Sequence, residues 1–140
     1  MAGNDAITVY VDGAAKGNPG PAGIGVRLEL EGVVLCEQSE YIGNATNNVA
    51  EYKALIYALE IARRYRITRV IALSDSELMV RQLNGEYKVK NEKLLPLYRS
   101  ARDLAGNFEE FRIRHVSRAE NKHADRLANQ GIKIGMKRKS

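Results

Sequence analysis

The chain has 140 residues, 44% of them apolar, and 22 Lys/Arg against 17 Asp/Glu give a formal net charge of +5; a single domain of this size buries about two-thirds of its unfolded surface and needs no metal or disulfide to fold. One cysteine, Cys36, excludes an intramolecular disulfide, and one Cys with two His excludes the usual Cys/His zinc clusters. No run approaches the ~18 apolar residues of a membrane span, and Met1 to Asp5 lack a charged leader with an apolar run, so a reducing, cytoplasmic setting is expected.

Ala6 to Asp12 alternates Ile7, Val9 and Val11 with other types and reads as a strand, followed by a Gly- and Pro-bearing loop from Gly13 to Gly20. Ile24 to Leu30 and Val33 to Ile42, separated by Glu31-Gly32, complete an antiparallel meander. Thr46, Asn47 and Asn48 offer N-caps to a long helix from Val49 to Tyr65. Arg69 to Leu73 is a short apolar strand, and Ser74 with Glu77 has capping-box spacing for a second helix that runs to about Leu83 and stops at Asn84-Gly85. A third helix fits Glu92 to Ala105, entered through Asn91 with Pro96 near its first turn. Glu109 to Val116 is a strand, and Asn121 to about Ile132 a helix with Ala124, Leu127 and Ala128 at core spacing. The order β-β-β-α-β-α-α-β-α is a mixed α/β domain over residues 1–136, with a short basic tail at 137–140. The long helix can serve as a right-handed crossover that sets the Arg69–Leu73 strand parallel to the first.

Charge is uneven along the chain. Residues 1–62 hold 3 basic and 8 acidic side chains, and residues 63–140 hold 19 basic and 9 acidic. Ordinary solvation and polyanion binding both produce such an excess. Four acids occupy positions this topology can bring together: Asp12 at the end of the first strand, Glu51 near the start of the long helix, Asp75 after the Arg69–Leu73 strand and Asp125 in the last helix. Sites in open α/β sheets form beyond the carboxyl ends of parallel strands. Clustered carboxylates repel one another unless a hard cation joins them, and Mg²⁺ suits such an oxygen-only set. Singly, each acid has an ordinary reading as a turn former, a first-turn helix acid or a solvated helix position.

The residues around these acids resemble one family, type 1 ribonuclease H. Tyr10-Val11-Asp12-Gly13 leading to Asn18-Pro19-Gly20 looks like that family's strand-end loop, and Thr46-Asn47-Asn48 followed by Glu51 its helix start. Ser74-Asp75-Ser76 and Asn121-Lys122-His123-Ala124-Asp125-Arg126-Leu127-Ala128 are similar to its two remaining motifs, in family order. The resemblance implies a five-stranded mixed sheet in order 3-2-1-4-5 with helices on both faces. It also implies that Asp12, Glu51, Asp75 and Asp125 hold two Mg²⁺ ions, with Mn²⁺ as a substitute, and cut the RNA strand of RNA–DNA hybrids to 5′-phosphate and 3′-hydroxyl ends. Gly13, Asn18, Asn47 and Asn48 align with substrate contacts, the short amides suiting an RNA 2′-hydroxyl. Thr46 and Asn91 look like the family's pocket for a DNA-strand phosphate.

Two departures are visible. Many bacterial members carry a Trp- and Lys-rich protrusion between the second and third helices; here Gly85-Glu86-Tyr87-Lys88-Val89-Lys90 alone bridges that gap and the chain has no Trp. The short form resembles archaeal and some bacterial members, some of which also cut double-stranded RNA, and Lys88, Lys90 and Lys93 are its candidate hybrid contacts. The mobile histidine of many members is missing from the short link Val116 to Glu120, so Arg118, ahead of His115 at the strand end, is expected to assist turnover. A monomer is expected. A catalytically dead hybrid-binding module would have lost a carboxylate, and a kinase or ATPase would need a phosphate loop of a kind that Gly13–Gly20 does not match.

Overall fold

The computed structural model describes residues 5–139. Strands β1 (Ile7–Ala15), β2 (Gly20–Leu30) and β3 (Val33–Ala45) form the meander, with Glu31 and Gly32 both at positive φ in the β2–β3 turn. Helix α1 (Asn47–Ala62) leads to β4 (Arg69–Ser74), and α2 (Glu77–Leu83), α3 (Leu95–Ala105), β5 (Glu110–His115), a 3₁₀ turn (Ala119–Asn121) and α4 (Lys122–Lys139) follow. The sheet order is β3-β2-β1-β4-β5, with β4 parallel to β1 and β5 parallel to β4. This is the mixed five-stranded sheet that the sequence pattern and the family resemblance led us to expect.

Both faces of the central strands are covered. Ile7, Val9 and Val11 of β1 join Tyr52, Leu55 and Leu59 of α1 in the main buried cluster. On the other face, α4 buries Ala124, Leu127, Ala128 and Ile132. Two glycines set how closely the helices approach. A Cβ on Gly13 would lie 2.2 Å from the Ala50 carbonyl carbon of α1, and one on Gly25 would lie 2.3 Å from the Ala124 oxygen of α4. Both helices therefore rest on bare backbone, at positions where any side chain would wedge them away from the sheet.

Several boundaries differ from the sequence expectations. Strand β1 does not end at Asp12: Ala14 and Ala15 pair with Gly23 and Ala22, so the expected Gly13–Gly20 loop shrinks to residues 16–19. Ser74 does not cap α2. Strand β4 runs one residue further than expected and buries Ser74, whose Oγ accepts the Ser76 N–H at 3.0 Å, while Ser76 takes the cap through the Met79 N–H at 3.3 Å. Helix α3 starts at Leu95 rather than Glu92, because Asn91 Oδ1 accepts the N–H groups of Lys93 and Leu94 in a separate turn. Helix α4 continues past Ile132 to Lys139 and absorbs the expected basic tail apart from Ser140, which lies outside the described residues. Residues 84–94 join α2 to α3 without a helix, so the protrusion is absent.

Candidate active site

Four elements deliver one acid each. The parallel register pairs Val11 with Ser74, so Asp12 and Asp75 emerge on adjacent strands one residue later. Glu51 reaches the same point from the first turns of α1, where the Gly13 N–H donates to its Oε1 at 2.8 Å. That bond exists because Gly13 lets α1 approach. Asp12, Glu51 and Asp75 each place a carboxylate oxygen within 4.8 Å of the others. Asp125, in the first turn of α4, lies beside Asp12 and lines the same cleft of about 420 Å³ with Gly13, Asn47, Arg118 and Asn129.

The electrostatics of this cluster are unfavourable for an acid-only site. Asp12 is 4% exposed and Glu51 8% exposed. Burial, then the charges of Glu51 and Asp75, push the Asp12 carboxyl up to about 9. Burial and Asp75 push Glu51 up to about 8, against the lowering effects of the Gly13 N–H and the Arg118 charge. Among the described residues Asp75 Oδ2 is buried with no hydrogen-bond partner, and its ion-pair neighbour there is the Arg118 Nε at 3.9 Å, on a side chain 81% exposed. A buried carboxylate oxygen without a partner costs free energy that a hard cation would recover. The donor set is all oxygen, as Mg²⁺ or Mn²⁺ requires, so these residues fit such an ion.

The other expected site residues divide. Asn18 Oδ1 accepts the Asn47 N–H at 3.0 Å, and Asn47 Oδ1 accepts the Ala15 N–H at 2.9 Å, which ties the β1–β2 loop to the start of α1. Asn47 lines the carboxylate cleft, whereas Asn18 and Asn48 are exposed outside its lining. Thr46 caps α1 through the Val49 N–H at 3.2 Å and belongs to a separate cleft of about 590 Å³ with Asn44, Lys53, Lys93 and Pro96. Asn91 is not among that cleft's lining residues. His115 ends β5 opposite Ser74, one strand beyond β4, exposed and outside the carboxylate cleft.

One residue at the site escaped the sequence reading, and another stood in a motif there without a role. Asn129, one turn after Asp125, lines the cleft and donates its amide to the Asp125 carbonyl at 2.9 Å and to Asp125 Oδ1 at 3.4 Å. The i, i+4 spacing from Asp125 was the signal that could have found it. Asn121 is fully buried and donates to the Val11 carbonyl at 2.8 Å, which pins the start of α4 to the residue before Asp12. The link between His115 and α4 is also ordered: Ser117 N–H donates to Glu120 and Glu120 N–H to Ser117 Oγ, a reciprocal box that holds Arg118 between them.

Known proteins resemble this chain in sequence and fold. The family profile described as reverse transcriptase-like matches residues 10–131. The ribonuclease HI of Halobacterium salinarum is 41% identical over 127 residues, covering 90% of this chain and 64% of that one. The N-terminal ribonuclease H domain of a Mycobacterium tuberculosis protein superposes with a TM-score of 0.92 at 41% identity, covering 96% of this chain and 99% of the domain. LC11-RNase H1, solved in complex with an RNA/DNA hybrid, gives a TM-score of 0.88 at 42% identity, covering 93% and 99%. The chain spans 35% of the length of the mycobacterial relatives it matches. With the fold and these likenesses agreeing over nearly the whole chain, it belongs to the type 1 ribonuclease H family.

Proposed function

We propose that the chain is an endoribonuclease that hydrolyses the RNA strand of RNA–DNA hybrids, leaving 5′-phosphate and 3′-hydroxyl ends, with two Mg²⁺ ions held by Asp12, Glu51, Asp75 and Asp125. The observation that carries this reading is the convergence of Asp12, Glu51 and Asp75 within 4.8 Å around an unpartnered Asp75 oxygen. Bound divalent cations would supply the Lewis acidity and charge neutralisation that attack of water on a phosphodiester needs. The chain's own groups do the rest. Gly13 N–H fixes the Glu51 carboxylate, Asn129 orients Asp125, and the Arg118 guanidinium at the mouth of the cleft faces phosphate charge and aids product departure. With the Asn47 carbonyl engaged by Ala15, its amide donors serve a 2′-hydroxyl, the group that distinguishes RNA from DNA. Thr46, with Lys53 and Lys93 beside it, receives a DNA-strand phosphate, and Asn91 holds the turn that presents Lys93.

Double-stranded RNA offers the same 2′-hydroxyls and is a second substrate in this reading. All four carboxylates come from one chain, which suits a monomer, and the lone thiol suits the cytoplasm. Labelled RNA–DNA hybrid, double-stranded RNA, single-stranded RNA and DNA duplex, each incubated with Mg²⁺ or Mn²⁺, test the proposal. Divalent-dependent cleavage of the hybrid to 5′-phosphate ends is expected, and its absence with both metals would overturn it.

A further inference from the structure

At the end of the sheet away from the carboxylates lies a third cleft, of about 340 Å³, lined by Arg63, Tyr65, Arg66, Ile67, Thr68, Asn107 and Phe108. Thr68 and Asp75 flank β4 at its two ends, which at ~3.3 Å per residue sets this cleft about 20 Å from the active site. Arg63 and Arg66 are its only charged lining residues, and Arg64 stands between them in sequence. The ion pairs found among the described residues engage Arg27, Arg69, Arg81, Arg112, Arg118 and Arg126 and none of these three.

The bland explanation is that arginines after Ala62 neutralise the C-terminal dipole of α1. That dipole is worth about half a negative charge, against three guanidinium groups. Two carboxylates flank the cleft: Glu109, whose Oε2 accepts from Thr68 Oγ1 at 2.7 Å, and Glu60, exposed one turn back on α1. Within the lining Arg63 and Arg66 match these two carboxylates, and Arg64 beside them gives the three-arginine run one positive charge in excess. Beside the guanidinium groups the cleft presents two half-buried rings, Tyr65 and Phe108, which also pack against the core, and exposed Asn107, whose amide gives one N–H to the Asp103 carbonyl at 3.3 Å and keeps its second N–H and its oxygen for a ligand. Cationic forks for phosphate, rings on which a base stacks and an amide that can pair with a base edge form the set that grips single-stranded nucleic acid without sequence preference. The volume suits about one nucleotide.

We propose that the Arg63–Phe108 cleft is an accessory site for single-stranded nucleic acid, which holds the unpaired extension of a strand whose duplex part lies on the carboxylates. The proposal takes the identity of the polymer from the nuclease reading above, but its test does not need hydrolysis. A labelled thymidine oligonucleotide of about ten residues outspans the two sites at ~3.4 Å per nucleotide. Its binding to the full chain is followed by fluorescence anisotropy across a salt series without divalent metal, and by amide NMR.

In the parent chain the Asn107 and Phe108 amides shift on titration. Arg63→Ala with Arg66→Ala is expected to weaken binding about tenfold at low salt and to flatten the plot of log affinity against log salt by about 1.4, two phosphates at ~0.7 each. Arg63→Lys with Arg66→Lys keeps the slope, and blunt-ended hybrid is cut within about twofold of the parent rate in both variants. An unchanged slope in the folded alanine variant would overturn the proposal. So would still Asn107 and Phe108 amides, an equal shift with polyglutamate or inorganic phosphate, or a loss on blunt hybrid as large as on the oligonucleotide. Failure of blunt-hybrid cleavage in the parent chain would instead sink the nuclease reading and leave the binding arms readable.

Discussion

Asp12 and Glu51 hold protons far above the ordinary carboxyl values of 3.8 and 4.5 because burial and mutual charge penalise ionisation where no cation intervenes. Asp12→Asn removes the anionic oxygen that a bound cation would draw on and keeps the shape. Hybrid hydrolysis should fall by about 10³-fold or more, given the several kcal/mol that metal-held charge contributes to such a transition state, while the metal-free melting temperature stays level or rises. Retained activity would mean that the ligand set is misassigned. Asn129→Ala loses an exposed hydrogen bond to Asp125 worth about 1 kcal/mol, so kcat should drop about fivefold with little change in KM. Arg118 faces Asp75 and His115 does not, so Arg118→Ala should reduce kcat at saturating hybrid more than His115→Ala does; the reverse order would return the turnover role to the histidine. At this scale the sequence identified the acids by their surrounding motifs. Asn121 stood in a motif without a role and Asn129 was invisible in it, because an asparagine acquires meaning from the carbonyl or carboxylate it meets, and those partners lie 110 residues away or depend on helix phase.

Elements were legible where pattern and burial coincide. The β1 alternation, the Glu31-Gly32 turn and the long α1 are all present, though α1 spans Asn47–Ala62 and stops short of the expected Tyr65, and the strand and helix stand because each packs on the core. Their ends were less legible. Ala14 and Ala15 belong to β1 only because β2 offers them partners, and Ser74 is drawn into β4 by the neighbouring strands, which hands the cap of α2 to Ser76. Ser76→Ala should therefore cost about 1 kcal/mol, or about 4 °C in melting temperature, measured by thermal denaturation. Gly13 and Gly25 read as turn and strand glycines in sequence and prove to be contact points for helices. Gly25→Ala would drive a methyl against the Ala124 carbonyl, shift α4 with Asp125 on it, and destabilise by about 1–3 kcal/mol. Its hydrolysis should fall further than its melting temperature alone explains; an active, normally stable variant would show that α4 can yield without moving the site.

For the molecule as a whole, the cluster couples stability to pH and to metal. In the unfolded chain both carboxyls lose their protons near pH 4, whereas the folded chain retains them to about pH 9 at Asp12 and about pH 8 at Glu51. Between those limits the folded state binds more protons, so metal-free stability falls as pH rises through the window. Mg²⁺ should accordingly raise the melting temperature more at pH 8 than at pH 5, as differential scanning calorimetry would measure. An equal rise at both would mean that the ion binds away from these acids. The charge asymmetry of the chain takes on a definite meaning in the same frame: Asp12 and Glu51 contribute to the acidic first part as a site, and the basic remainder supplies Arg118, Lys93 and the Arg63–Arg66 cleft.

By itself the sequence determined the element order, the meander and crossover, and the motifs that single out four acids, since these rest on local periodicity, turn chemistry and residue identity. Tertiary structure alone decided that Asp75 would keep a buried oxygen without a partner, that His115 would stand one strand outside the cleft, and that Arg63, Arg66, Asn107 and Phe108 would share another. The physical reason is common to all three: burial, repulsion and partner loss are set by distances between residues far apart in the chain, which packing of the two helical layers on the sheet fixes.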